Sequence, residues 1–201
     1  MKKIIFVLFT TLLATVSYAL TKSNDEGKDV KCDEMYTDFS YTPNKFYTIV
    51  NKSTGAKLGI SFDYNIHASA YMDSVPSVPS GKGPNGIEIT DGNVFRFKFM
   101  PSEGGRECFI VNDNLFALQD ASEIGHGRWL IFRYLNKENP LQQWILAEKD
   151  GSVTIVNKAT GRCVDLAGGD TKEGAAVFSY DINNDPQSNA NQKWVIKEAG
   201  K

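Results

Sequence analysis

An all-β body assembled from three repeated units is the fold class this sequence predicts, and three observations carry the prediction. The tripeptide Ile-Val-Asn occurs three times, at Ile49-Val50-Asn51, Ile110-Val111-Asn112 and Ile155-Val156-Asn157. With average residue usage even one copy is expected in only about a few per cent of chains this long, so the triplication marks a repeated unit. Each copy follows an alternating apolar stretch and leads into a turn: Lys52-Ser53-Thr54-Gly55, Asp113-Asn114 and Lys158-Ala159-Thr160-Gly161. Later in each unit an aromatic opens a second alternating stretch, Phe95-Arg96-Phe97-Lys98-Phe99, Trp144-Ile145-Leu146 and Trp194-Val195-Ile196. Helical periodicity is absent after the first twenty residues.

Taken in chain order, residues 1–19 read as a signal peptide. Lys2 and Lys3 make a basic start, Ile4 to Val16 is apolar, and Ser17-Tyr18-Ala19 supplies small residues for cleavage after Ala19. That apolar run is shorter than the ~20 residues a spanning helix needs. No second such run follows, so the expected product is exported and not inserted in a membrane. Residues 20–43 are polar and charged, and read as a flexible lead-in. The repeats occupy residues 44–201, their Ile-Val-Asn starts 61 and 45 residues apart. The surplus in the first unit falls near Ser69 to Gly86, where Pro76, Pro79, Gly81, Gly83, Pro84 and Gly86 preclude regular structure, which makes it a loop insertion. In the last two units Gln precedes the aromatic by two residues, giving Gln142-Gln143-Trp144 and Gln192-Lys193-Trp194; the first unit has Asn93-Val94-Phe95 there. Three units of about four short strands fit a barrel closed by three hairpins better than a solenoid or a sandwich. The prediction is a β-trefoil.

Composition removes several functions. A net charge of −2, spread along the chain, gives no basic footprint for nucleic acid. Three cysteines without a CxxC pair, and only His67 and His126 among histidines, make no metal site. There is no GxSxG, HExxH or phosphate-binding loop, and a small barrel filled by its own strands leaves little room for a substrate cleft. The expectation is a non-enzymatic protein without cofactors.

The third unit, GRCVDLAGGDTKEGAAVFSYDINNDPQSNANQKWVI, resembles one repeat of the ricin B-chain type of β-trefoil lectin. The matching features are Cys-Val-Asp-Leu, the aromatic in VFSYDIN, and the closing ANQKW. The resemblance fades through the second unit to the first. It implies that Gln142, Trp144, Gln192 and Trp194 are structural. It also implies a shallow sugar site formed by Asp165, Tyr180 and Asn191, with Asp181 and Asn183 as helpers. The chemistry is coherent, because a pyranose offers an apolar C–H face to an aromatic and a rim of hydroxyls to a carboxylate and an amide. Each residue also has a local use: Asp165 can close a strand, Tyr180 can pack, and Asn191 can cap a turn. Phe178 stands where the family often has a polar side chain. In the second unit Gln119 replaces the Asp and Leu141 the Asn, while Tyr134 matches the aromatic; in the first, Gly59 takes the Asp position. One working site is expected.

Cys163 matches a family cysteine whose partner would fall near Ile182, so that disulfide cannot form. The remaining expectation pairs Cys32 with Cys108, with intermolecular pairing as the rival. The sequon Asn51-Lys52-Ser53 overlaps a repeated Asn. The functional expectation is a secreted lectin for a galactose-type sugar or glycan, serving adhesion. Two alternatives stay open: the binding subunit of a toxin-like assembly, contacting a protein partner through the N-terminal segment, or a trefoil protease inhibitor acting through the Pro/Gly loop at residues 74–86.

Overall fold

The computed structural model describes residues 17–23, 29–62, 66–74, 76–82, 86–103, 105–121 and 129–200, with side chains from Tyr36 onward. Most of the expected signal peptide, the Cys32 side chain and His126 lie outside the described residues. A hairpin of β1 (Ser17–Ser23) and β2 (Asp29–Asp38) precedes three four-stranded repeats. The first holds β3 (Tyr47–Asn51), β4 (Lys57–Ser61), β5 (His67–Tyr71) and β6 (Phe97–Pro101). The second holds β7 (Cys108–Asn112), β8 (Phe116–Asp120), β9 (Leu130–Tyr134) and β10 (Trp144–Lys149). The third holds β11 (Ser152–Asn157), β12 (Cys163–Leu166), β13 (Ala175–Tyr180) and β14 (Trp194–Glu198).

The first and fourth strands of each repeat make the barrel. β6 pairs with β7, β10 with β11, and β14 returns to β3, closing the chain on itself. Alternation places Tyr47, Ile49, Phe97, Phe99, Ile110, Leu146 and Ile155 in one core around the fully buried Trp144 and Trp194. In each ladder one aromatic lies opposite a repeated asparagine: Phe97 with Asn112, Trp144 with Asn157, and Trp194 with Asn51. The first-repeat counterpart of the tryptophans is therefore Phe97, not Phe95. A two-residue slip preserves strand alternation, which is why either phenylalanine reads as the anchor.

The second and third strands of each repeat form hairpins that cap the barrel and meet through three equivalent bridges. Ala176 pairs with Ser69, His67 with Ile131, and Trp129 with Phe178. The hairpin registers Gly59 to Ser69, Gln119 to Ile131 and Asp165 to Phe178 make those three pairs of positions equivalent among the repeats.

The repeated asparagines are buried and fully used. The Asn157 side-chain oxygen accepts the backbone N–H groups of Ala159 (3.0 Å) and Thr160 (3.2 Å), and its amide donates to the Leu141 carbonyl at 2.8 Å. Asn51 does the same with Ser53 and Thr54, and donates to the Asn191 carbonyl at 3.1 Å. In the second repeat Asn112 accepts from Asn114 and Phe116, and Asn114 reaches back to the Ile87 carbonyl at 2.8 Å. Each asparagine shapes its own turn and ties it to the preceding repeat, directly or through Asn114. Asn51 is wholly buried, so its sequon is inaccessible in the folded chain.

Where a flexible lead-in was expected, the structure places β2 against β10, with Ala147 opposite Asp38. Tyr36 is buried among Ala147, Val156, Cys163 and Ile182, and Phe39 and Tyr41 pack on Phe99. The polar composition concealed three aromatics at positions 36, 39 and 41. Cys108 is a free buried thiol, which overturns the pairing with Cys32. Burial raises its pKa, helped by the nearby Glu107 charge. Cys163 is also free and is held in the thiol form by burial, with Ile182 packed in the same cluster at the place of the missing partner.

The Pro/Gly insertion is clasped by Glu173 of the third repeat. Its carboxylate accepts the backbone N–H groups of Asp73 (2.8 Å), Met72 (3.0 Å) and Ser74 (3.2 Å) and the Ser74 hydroxyl at 2.8 Å. Those bonds, the Asp73 N–H foremost, lower its pKa to about 2.

Two outcomes are expected. Asn157→Ala leaves two N–H groups and a carbonyl unpaired, and lowers stability by roughly 2–4 kcal/mol in urea unfolding with an unchanged slope. The Glu173 clasp is intact above the ordinary carboxylate range and released as pH falls through about 2, because its pKa is depressed in the folded state. Glu173→Gln is thus expected to speed limited proteolysis after Ser74 at neutral pH. An unchanged nicking rate would show that the loop is held by other contacts.

Candidate functional site

Four of the five sequence-predicted site residues come together in the third repeat. Asp165 is on β12 and Tyr180 ends β13, while Asn183 and Asn191 lie on the connection to β14, the latter in a 3-10 turn (Ala190–Gln192). They line one open depression of about 380 Å³, together with Gly168, Phe178, Ser188 and Gln192. The turn at Ala167–Gly169 passes the rim with left-handed Gly168 (φ 62), a conformation glycine adopts without strain.

Asp165 is 4% exposed and held by amides. The Asn191 Nδ2 donates to both carboxylate oxygens at 2.9 Å, and the Gln192 Nε2 donates to Oδ2 at 2.8 Å. Gln192 also donates to the Asp181 carbonyl at 3.0 Å and accepts the Asn183 N–H at 2.8 Å, so one amide fixes the carboxylate and the connection after β13. The Trp194 Nε1 binds the Val164 carbonyl at 2.9 Å, anchoring β12 beside Asp165. The Gln and Trp of this motif are accordingly scaffold. Tyr180 is 42% exposed and lines the depression.

Two helpers differ from expectation. Asp181 is not among the lining residues and faces Arg162 at 3.5 Å. Asn183 lines the depression, but its side chain is engaged by Ser188 (2.8 Å) and the Asp185 N–H (3.0 Å) in shaping the loop. Sequence reading missed Ser188 and Gly168, which no motif marks; their signal is only the Gly-Gly and Asp-Pro turns around them.

The other repeats have the frame without the chemistry. In the second, the Gln119 Oε1 accepts from Gln142 (3.1 Å) and Asn139 (3.2 Å), a neutral copy of the Asp165 arrangement. The register there puts Arg133, not Tyr134, opposite Ala117, the counterpart of the Tyr180 to Cys163 pair. The expected aromatic match at Tyr134 is off by one residue. In the first repeat, Phe95 occupies the Gln192 position and presses on Gly59, where a Cβ would lie 2.5 Å from the ring. A carboxylate has no room there.

A separate depression of about 260 Å³ is lined by Lys52, Lys149 and Lys193 but by no aromatic, so it lacks a platform for a sugar face. Among the described residues no group of His, Cys, Asp and Glu is arranged to hold a metal ion.

The repeats, the closed barrel and the capping hairpins define a β-trefoil, and its last third carries a ricin-type lectin-like pattern. Residues 140–201 match the model of the family described as ricin-type beta-trefoil lectin domain-like. No curated protein matches the chain in sequence. Among solved structures it is similar to the designed threefold-symmetric protein ThreeFoil, with TM-score 0.59 and 18% identity over 77% of this chain and 99% of that one. It is also similar to the Rhizoctonia solani agglutinin, with TM-score 0.58 and 16% identity over 80% and 99%. The Polyporus squamosus lectin, bound to a human-type influenza-binding epitope, gives TM-score 0.56 and 18% identity over 79% of this chain and half of its own.

Asp165→Asn tests the amide cage, since a second amide cannot accept at both atoms facing Asn191 and Gln192. A loss of about 1–3 kcal/mol in thermal or urea unfolding is expected. No loss would mean that the carboxylate contributes nothing to the frame.

Proposed function

We propose that this protein is a secreted carbohydrate-binding protein, a lectin whose working site is the depression of the third repeat and whose role is adhesion to glycans on host or neighbouring cells. The observation that carries the reading is the Asp165 carboxylate, fixed by Asn191 and Gln192 beneath an exposed Tyr180. A buried ionised acceptor held before the ligand arrives loses little entropy on binding, and charge-assisted hydrogen bonds to hydroxyls contribute about 1.5–3 kcal/mol where neutral ones give nearer 1. Among the described residues, the Asn191 side-chain oxygen takes no partner within the protein, which leaves an acceptor at the rim.

The family match over residues 140–201 supports this reading, as do the saccharide ligand and agglutinin activity named for similar folds. Export rests on the signal-like first nineteen residues, and a galactose-type sugar on the family resemblance. One site is proposed, because Gln119 and Gly59 replace the carboxylate elsewhere. A single shallow site binds weakly alone, so useful avidity comes from clustered glycans.

A glycan array probed with the parent, Asp165→Ala and Tyr180→Ala tests the proposal. Tyr180 is exposed, so its variant keeps the fold and serves as the control for any instability in Asp165→Ala. Binding by the parent, reduced at least about tenfold in Tyr180→Ala and abolished in Asp165→Ala, is expected. A folded parent that binds no glycan even when clustered would overturn the reading.

A further inference from the structure

The Asp165 depression does not end at Tyr180. Alternation along β13 turns Ala176, Phe178 and Tyr180 to the same outer face, with Phe178 and Tyr180 about 7 Å apart as next-nearest residues of a strand. Phe178 lines the depression and meets the Trp129 ring edge-on, with centroids 5.0 Å apart at 89°. Trp129 in turn meets His67 at 5.3 Å and 71°.

The three capping bridges show what stands at the indole's position in each repeat. His67, Trp129 and Ala176 occupy the same position in the three repeats, as their pairings with Ile131, Phe178 and Ser69 show. Histidine, tryptophan and alanine at one equivalent position are not interchangeable fillers. Trp129 remains 39% exposed, although the tryptophans of the barrel, Trp144 and Trp194, are completely buried. Trp129 packs on Phe178 and His67, yet leaves part of a large apolar ring open to water beside the depression. The aromatic surface running from Tyr180 across Phe178 to Trp129 is longer than one pyranose ring.

We propose, resting on the reading of the depression as a sugar site, that Trp129 is the platform of a second subsite and that the ligand is an oligosaccharide. One unit is held by Asp165 and Tyr180, and a neighbouring unit lays its C–H face on the indole. Tryptophan suits the role because it brings a large rigid surface with only two torsions to immobilise. Specificity for chain length then comes from the junction of the second and third repeats, and not from the third repeat alone.

The test compares methyl β-galactoside, lactose and lacto-N-neotetraose, together with the stepwise truncations of whichever array glycan binds most strongly. Each is titrated against the parent, Trp129→Ala, Trp129→Leu and Tyr180→Ala, with circular dichroism confirming the fold; leucine retains packing on Phe178. Of the three tryptophans in the chain only Trp129 is exposed, so ligand-induced change in emission reports this subsite. Expected are tighter binding and an emission shift with the longer saccharides only, and loss of that gain, roughly tenfold, in both Trp129 variants while the terminal unit binds as before. Parent affinity independent of chain length, or Trp129 variants that bind long saccharides as the parent does, would overturn the second subsite while binding that depends on Tyr180 keeps the first. No saccharide binding by the parent would overturn both.

Discussion

The structure depends on a single repeated interaction: a buried asparagine amide that closes its own turn and reaches the preceding repeat. The turn after each Ile-Val-Asn would otherwise leave backbone N–H groups unpaired against the core. The asparagine satisfies two of them with one oxygen. In the first and third repeats the amide's donors are then spent on the 3-10 segment that leads into the barrel strand paired with its own. The second repeat needs Asn114 as an intermediary, because its turn is one residue shorter and Leu115 takes the left-handed position held elsewhere by Gly55 and Gly161. Fixing the asparagine fixes the relation between repeats, and with it the threefold cap.

The site grows from that frame with few additions. In the second and third repeats a glutamine two residues before the tryptophan points at the strand after the turn, and it will accept a carboxylate, as at Asp165, or a neutral amide, as at Gln119. The first repeat has replaced the pair by Phe95 and Gly59, an apolar solution in which the ring takes the space of both side chains. The three repeats are thus three answers to one packing problem, and only the third retains a charged acceptor beside an exposed aromatic.

Much of this was legible in the residues. Ile-Val-Asn announced three units, the Gln and Trp pairs announced their closing strands, and the likeness of the third unit to a ricin B-type repeat implied that Asp165, Tyr180 and Asn191 belong together. What escaped the sequence escaped for physical reasons. Phe95 and Phe97 both satisfy strand alternation, so only the ladder opposite Asn112 separates them. Tyr134 and Arg133 differ by one residue, and strand pairing alone decides which of them holds the Tyr180 position. The segment from Tyr36 to Tyr41 looks solvated because acids and hydroxyls surround aromatics that pack in the fold. Trp129 belongs to no motif, and its place beside Phe178 follows from the meeting of two hairpins distant in sequence.

The pairing of β3 with β14 has a mechanical consequence. The two strands run antiparallel from Tyr47 opposite Glu198 to Asn51 opposite Trp194, so the rungs nearest the outer ends of the repeat body come first. Tension applied across those ends loads the rungs singly instead of sharing the load, the weak direction for a β-ladder. The last rung reached is the one at Asn51, whose amide grips the Asn191 carbonyl while the Asn191 side chain grips Asp165. Rupture under load therefore travels toward the third-repeat depression, and a molecule seated there would brace the seam at its final rung.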